Sequence, residues 1–360
     1  MQSISKFLML ILAGSLLFLG SCKEEIIIIP EPGKYDNGIL VSNEGPFQNG
    51  TGTVSFIHRD SGFVLNEIFQ TENNRPLGNI VQSVSEHLGR VYIVVNNSNK
   101  IEVVNAADFE SIGTIEGLNQ PRYFLGIDGN KGYVSEWGDT GSNGAVHVVD
   151  LNTLTITQTF TIGGGPERML RLGDRVYVAN SGGFGSNNKI FIYDVNEDLQ
   201  ENVIDVGDNP NSMQLDQSGN LWVLCAGNKV YNADFSLNLD ASTAGGLYRI
   251  NTLADEVVES YVLSDKSVVP GNLVVNPDRT TLYYTGAGVH EQAVNAGALN
   301  ETPMLNNFFY GLAVDPQTGN LYGCNARDFN SNGAVEVYAP DGTFVTSYDV
   351  GIIPGNVIFR

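Results

Sequence analysis

One pattern, met seven times, limits what this chain can fold into more than any other feature. Its clearest copy covers residues 166–206. A short apolar segment opens on Pro166, a turn at Gly173-Asp174 reverses the chain, and Val176-Tyr177-Val178-Ala179-Asn180 follows. A Gly/Asn/Ser loop then leads to Ile190-Phe191-Ile192-Tyr193-Asp194, and a last alternating run ends at Val206. Each segment alternates or runs wholly apolar and none has helical period, so the unit reads as four short strands. Four strands in roughly 40 residues are the content of one propeller blade.

The second strand of the unit recurs at Gly38-Ile39-Leu40-Val41, Arg90-Val91-Tyr92-Ile93, Gly132-Tyr133-Val134, Arg175-Val176-Tyr177-Val178, Asn220-Leu221-Trp222-Val223, Thr281-Leu282-Tyr283-Tyr284 and Asn320-Leu321-Tyr322. The segment preceding it recurs from Asn79-Ile80-Val81 onward and appears once more at the very end, as Pro354-Gly355-Asn356-Val357. The chain therefore enters its first blade at a second strand and finishes on a first strand that has no blade of its own. Joining the two ends closes a ring without an open sheet edge. The expected fold is all-β: a seven-bladed β-propeller over residues 37–360, closed by the C-terminal strand completing the first blade. An open solenoid or a two-sheet sandwich would leave that last strand without a partner. The blade anchored at Tyr283 departs from the repeat, because residues 289–295 lack the alternating run of the other third strands.

Ahead of the repeats stand Lys6, an apolar run over residues 7–19, and Leu19-Gly20-Ser21-Cys22. This reads as a signal peptide over residues 1–21, too short to span a bilayer. The Leu-Gly-Ser-Cys ending resembles the lipobox of bacterial lipoproteins, which implies lipidation of Cys22. Lys23-Glu24-Glu25 resembles the signal that sends such lipoproteins to the cell surface in one group of Gram-negative bacteria. Residues 22–36 read as a tether, its prolines disfavouring helix. The expected location is the outer membrane, surface-exposed and held by lipid alone.

The 40 Asp plus Glu against 19 Lys plus Arg give a net charge of −21. That balance disfavours nucleic acid and anionic lipid as partners. Cys225 and Cys324 each sit inside an apolar second strand of non-neighbouring blades. They read as buried small hydrophobes rather than a disulfide or a metal pair.

The loops separate two faces. Turns such as Leu172-Gly173-Asp174 and Gln217-Ser218-Gly219 are short hairpin connections. The loops between second and third strands are long in five blades, at residues 43–53, 136–145, 180–189, 226–246 and 325–334. Long loops on a rigid scaffold concentrate binding function. They place Asn43, Phe47, Trp137, Phe184, Arg327 and Phe329 on that face, with Phe235 in the longest. The first-strand starts add Asn79, Arg122, Glu167, Arg168, Asn211, Asn272, Tyr310 and Asn356 around the central channel. Aromatic rings rimmed by amides form an adaptable platform for a ligand.

No reacting constellation is legible. His58, His87, His147 and His290 are scattered, and no nucleophile elbow, Cys-x-x-Cys pair or phosphate loop is present. Gly163-Gly164-Gly165 lies between strands rather than ahead of a helix. Asp328-Phe329-Asn330-Ser331-Asn332-Gly333 imitates the start of a calcium loop, but Ala339 stands where the bidentate carboxylate belongs. The chain is expected to be neither an enzyme nor a holder of a metal or cofactor.

The Pro-x-x-apolar, Val-Tyr-Val-x-Asn and Val-x-Val-x-Asp segments resemble those of YncE-type seven-bladed propellers. Together with Cys22-Lys23-Glu24-Glu25 and the Asn/aromatic loops, they resemble the surface-layer-like propeller lipoproteins that capture cobalamin outside the cell. Such proteins pass cobalamin to a TonB-dependent outer-membrane transporter on which they sit as a lid. The resemblance implies cobalamin or another corrinoid as cargo and that transporter as partner. Two other classes fit the fold: a structural or adhesive surface propeller binding protein or glycan, and a propeller enzyme of the lactonase or lyase type.

Overall fold

The computed structural model describes residues 33–47 and 50–360. Cys22, the leader and the tether through residue 32 lie outside the described residues. The compact unit begins at Gly33, slightly earlier than the repeat suggested, because Tyr35 is itself core. Its ring meets Phe56 and Phe109 edge-on at 5.3 and 5.5 Å.

Seven antiparallel sheets follow. Blade one pairs β1 (Gly38–Asn43), β2 (Thr53–His58) and β3 (Val64–Leu65) with the C-terminal strand β27 (Pro354–Phe359), in the order β27-β1-β2-β3. Blades two, three and four are complete within their own segments: β4 (Val81–His87) to β7 (Ser111–Ile115), β8 (Pro121–Gly126) to β11 (Thr155–Thr161), and β12 (Pro166–Leu172) to β15 (Leu199–Asp205). Blade five runs from β16 (Pro210–Leu215) to β19 (Glu256–Val262), and blade seven from β23 (Gly311–Val314) to β26 (Phe344–Ile352). The first strands β4, β8, β12, β16, β20 (Gly271–Val275), β23 and β27 neighbour one another in that order and line the central channel.

Second strands lie between two neighbouring sheets and are buried on both faces, which is why their sequence runs apolar without alternation. All of β1 is buried, and so is β17 (Leu221–Cys225). Outermost strands face solvent on one side and alternate, as in β19. Aromatic residues fill the wedges between blades: Tyr92 stacks on Phe124 at 3.7 Å and Phe160 on Tyr193 at 4.8 Å. Fully burying each such ring contributes roughly 1.5–3 kcal/mol. Trp222 keeps its indole N–H satisfied by donating to Asp216 Oδ2 at 3.0 Å.

Closure is by ladder. Ile39, Leu40 and Val41 pair with Phe359, Ile358 and Val357. The terminal Arg360 then reaches Glu86 at 2.7 Å and Asp36 at 3.1 Å.

Two local features differ from the repeat. Blade six has three strands, β20, β21 (Thr281–Thr285) and β22 (Val289–Ala293). Residues 294–310 loop back instead of forming a fourth strand, touching β22 through a bridge between Val289 and Leu305. Gln292 covers the exposed edge by donating to Ala298 O and accepting from Asn300 N–H. The other feature is a one-turn helix, α1 (Ile68–Asn73), between blades one and two. It buries Ile68 and Phe69, and left-handed residues Glu67 and Asn74 bound it.

Candidate functional site at the loop-face mouth of the channel

The mouth is built by a repeated irregularity. Near their starts, β4, β8, β12, β16 and β27 each carry a bulge against the second strand. The register skips Gln82, Arg122, Glu167 with Arg168, Asn211 and Gly355 respectively. A skipped residue leaves the ladder, and a bulge re-aims its side chain. Residues with positive φ prepare the turn: Ile80 at 58°, Gln120 at 54°, Asn209 at 56° and Ile353 at 55°. Gln82, Arg122 and Arg168 from the bulges line a cavity of about 170 Å³, with Asn272 and Asn356.

Below this cup the channel continues as cavities of about 290 and 390 Å³ lined by the first strands. Arg168 and Asn356 line all three. The Arg168 guanidinium lies 4.7 Å above the Tyr123 ring centroid.

The cup couples directly to the rim. Arg122 pairs with Glu167 at 3.2 Å and lies 4.3 Å from the Trp137 ring. Trp137 in turn meets Phe184 edge-on at 5.4 Å. Burial works against the charge of Arg122, but Glu167 beside it outweighs this and raises its pKa. On the opposite side, Tyr310 donates its hydroxyl to Glu44 Oε1 at 2.9 Å and meets Phe329 edge-on at 5.8 Å. Burial raises the pKa of Glu44, with the Tyr310 hydrogen bond and Arg122 opposing. Burial and Glu44 push the Tyr310 phenol up as well.

The expected residues separate into three groups. Arg122, Arg168, Asn272, Tyr310 and Asn356 converge on the cup. Trp137, Phe184 and Phe329 surround it, while Phe47 is an exposed rim residue at 68 %. The rest do other work. Asn43, expected to face the ligand, is fully buried and donates to Ser55 Oγ at 2.9 Å and Thr53 Oγ1 at 3.1 Å. As the last residue of β1 it points into the wedge between blades. Asn79 holds the blade-one loop through Gly50 O at 2.8 Å, and Asn211 ties β16 to Pro270 O at 2.9 Å. Arg327 is an outer-rim residue bonded to Asp349.

Sequence reasoning missed Glu44, Gln82 and Tyr123 as cup residues. Gln82 occupies the blade-two position equivalent to Arg122, so aligning the bulged positions would have found it, whereas the only signal for Glu44 was its place in the Asn-Glu-Gly-Pro-Phe loop motif.

The triple glycine 163–165 serves packing: a Cβ on Gly165 (φ +65°) would overlap the backbone of Gly183. Among the described residues no three His, Cys, Asp or Glu side chains are placed to hold a metal ion. Cys225 and Cys324 are buried and free. No helix among the described residues is long and apolar enough to cross a membrane. The mouth can hold a ligand by hydrogen bonds and by aromatic contact.

No curated protein matches the chain. A quinonprotein alcohol dehydrogenase-like protein from Bacteroides thetaiotaomicron superposes with a TM-score of 0.64 at 15% identity, over 90% of this chain and 78% of that one. A functionally unknown protein from Desulfotomaculum acetoxidans gives 0.62 at 12%, over 90% and 98%. Hydrazine synthase of Kuenenia stuttgartiensis gives 0.60 at 18%, over 74% and 85%. At such identities these likenesses establish the fold alone. Residues 37–349 match the family described as a domain of unknown function, DUF5074, and the chain belongs to that family.

Proposed function

We propose that this propeller is a non-catalytic capture protein of the cell surface, which holds cobalamin or a related corrinoid across its loop-face mouth and delivers it to a TonB-dependent transporter. The observation that carries the reading is the mismatch between rim and cup. Phe47 and Phe184 are each 68 % exposed and Phe235 is 87 % exposed, on a face whose central cavity is only about 170 Å³. A corrin is a flat macrocycle edged with amides and far larger than that cup. It would lie over the opening, its faces against the aromatic residues and its amides against the Asn and Gln side chains. Gly33 and Tyr35 lie on the opposite, short-turn face, where Tyr35 N–H donates to Ala107 O at 3.1 Å.

The test is calorimetric and spectroscopic titration of the soluble domain with cyanocobalamin. Saturable heat and a shift of the corrin absorbance are expected, and neither appearing would overturn the proposal. Replacing both Phe47 and Phe184 by alanine is expected to weaken binding at least roughly tenfold, as truncated aromatic anchors do. One observation favours a second reading. Glu44, a carboxyl in the cup with a raised pKa, is the kind of group an acid–base enzyme uses. Turnover of a lactone substrate that Glu44→Gln abolishes would replace capture by catalysis.

A further inference from the structure

We propose that the channel cup is an oxyanion site, which takes a carboxylate or phosphate group on the Arg168 guanidinium with the side-chain amides of Gln82 and Asn356 as further donors. This stands independently of which molecule covers the rim above it.

The argument is an accounting of donors and acceptors. Glu44 Oε1 accepts from Tyr310, and the Glu167 carboxylate accepts from Arg122. Gln82 Oε1 also accepts from Arg122, and Asn356 Oδ1 accepts the Val84 N–H at 3.0 Å. Both partners can only donate, so the orientation of the two amides is settled: their NH2 ends are the free ends. Neither Gln82 Nε2 nor Asn356 Nδ2 has a hydrogen-bond acceptor among the described residues, and neither does Arg168. The cup therefore presents three unmatched donor groups, while each carboxylate already has a partner; Asn272, whose amide donates to Thr285 Oγ1 and Tyr310 O, leaves its Oδ1 as the one neutral amide acceptor in the lining. A group that only accepts hydrogen bonds is its chemical complement.

Arg168 is one of four arginines without a carboxylate partner among the described residues; of the others, Arg90 and Arg171 donate to backbone carbonyls and Arg279 lies in a short turn away from the cup. Arg59, Arg75, Arg122, Arg175, Arg249, Arg327 and Arg360 all pair with carboxylates. Glu167 precedes Arg168 in the chain and Glu44 shares its cavity, but these carboxylates bond Arg122 and Tyr310, and among the described residues no carboxylate forms an ion pair with Arg168. The Tyr123 ring beneath it supports the guanidinium plane, leaving its N–H fork open to a planar or tetrahedral oxyanion. The volume of about 170 Å³ admits a carboxylate or phosphate group and excludes a macrocycle.

The test uses inorganic phosphate and succinate, titrated separately into the soluble domain, with calorimetry and tryptophan fluorescence as readouts. Trp137 lies against Arg122 at the cup, whereas Trp222, the other tryptophan, is sealed in blade five. Saturable binding of at least one anion is expected in the millimolar range, and the stronger of the two identifies phosphate or carboxylate as the source. Arg168→Gln is expected to weaken it roughly tenfold or more, the worth of a charge-assisted pair. Asn356→Asp keeps the acceptor for Val84 while placing a negative charge in the cup, and is expected to abolish binding. Circular dichroism confirms that both variants fold. No saturable response to either anion up to about 50 mM, or an undiminished response in Arg168→Gln, overturns the proposal. Cyanocobalamin titrated into the same proteins separates the two readings, since a rim that fails to bind corrinoid leaves the anion response in place.

Discussion

Replacing Arg360 by alanine asks how much of the ring's closure rests on side chains rather than on the β27 ladder. The guanidinium is 8 % exposed and donates to Glu86, to Asp36 and to the Tyr35 carbonyl. The Arg360 carbonyl in turn accepts from Arg59 Nε at 3.1 Å, and Arg59 pairs with Asp315 of blade seven at 2.8 Å. One clasp thus links blade seven, the C-terminal strand and the turns of blades one and two. Glu86 and Asp36 are 32 % and 41 % exposed, so water replaces part of what they lose. Each of those pairs is therefore worth the upper end of a surface ion pair, about 1 kcal/mol. The Tyr35 carbonyl loses a charge-assisted bond worth at least about 1 kcal/mol. The expected destabilisation is about 2–3 kcal/mol. With about 2.1 cal/mol/K per residue over a domain of this length, that lowers Tm by about 3–4 °C. Urea unfolding should show a lower midpoint at unchanged slope, because the buried surface is the same. Arg360→Lys should recover part of the loss. A change below about 0.5 kcal/mol, the range of an unremarkable surface substitution, would refute the clasp.

The acid limb of stability has a named contributor, and the cysteines give a second check. Burial pushes the pKa of Glu102 up, but Arg75, Ser111 and Lys100 outweigh it and leave the carboxyl below its usual value of 4.5. A depressed folded pKa stabilises above the unfolded value and is lost as pH falls through the folded one. Melting curves should therefore show the stability gap between wild type and Glu102→Gln constant near neutrality and shrinking below about pH 4.5. A gap independent of pH would contradict this. Burial also pushes the Cys324 thiol up to about 12 and Cys225 in the same direction. Neither should react with a thiol reagent at pH 8 until the protein is unfolded, and rapid labelling of the native protein would mean that the blade interfaces open.

Much of the fold is legible because the physics is local. A strand caught between two sheets must be apolar along its length, so Val176-Tyr177-Val178-Ala179 and its copies announce themselves. The unpaired segment at Pro354 likewise announces closure, and the spacing between anchors gives the loop lengths. Blade six was visible as an irregularity at residues 289–295, but not as the loss of a fourth strand, since a covered edge and a paired edge need similar residues. Helix α1 was invisible because one turn with two adjacent apolar residues carries no period.

The candidate site lies at the other limit. Phe47, Trp137, Phe184 and Phe329 were recoverable, since an aromatic residue in a long polar loop has no strand position to explain it. That Asn43 turns inward while Glu44 reaches the cup depends on where the ladder of β1 ends, a difference of one residue. By itself the sequence determined the number of blades, the closing strand and the face that carries the long loops, because these follow from periodicity and chain length. Only the tertiary structure decided which polar residues meet. Glu44 and Tyr310 are 266 positions apart and are joined by ring closure. Arg168 is left without a carboxylate because a bulge turns its neighbour Glu167 toward Arg122 instead.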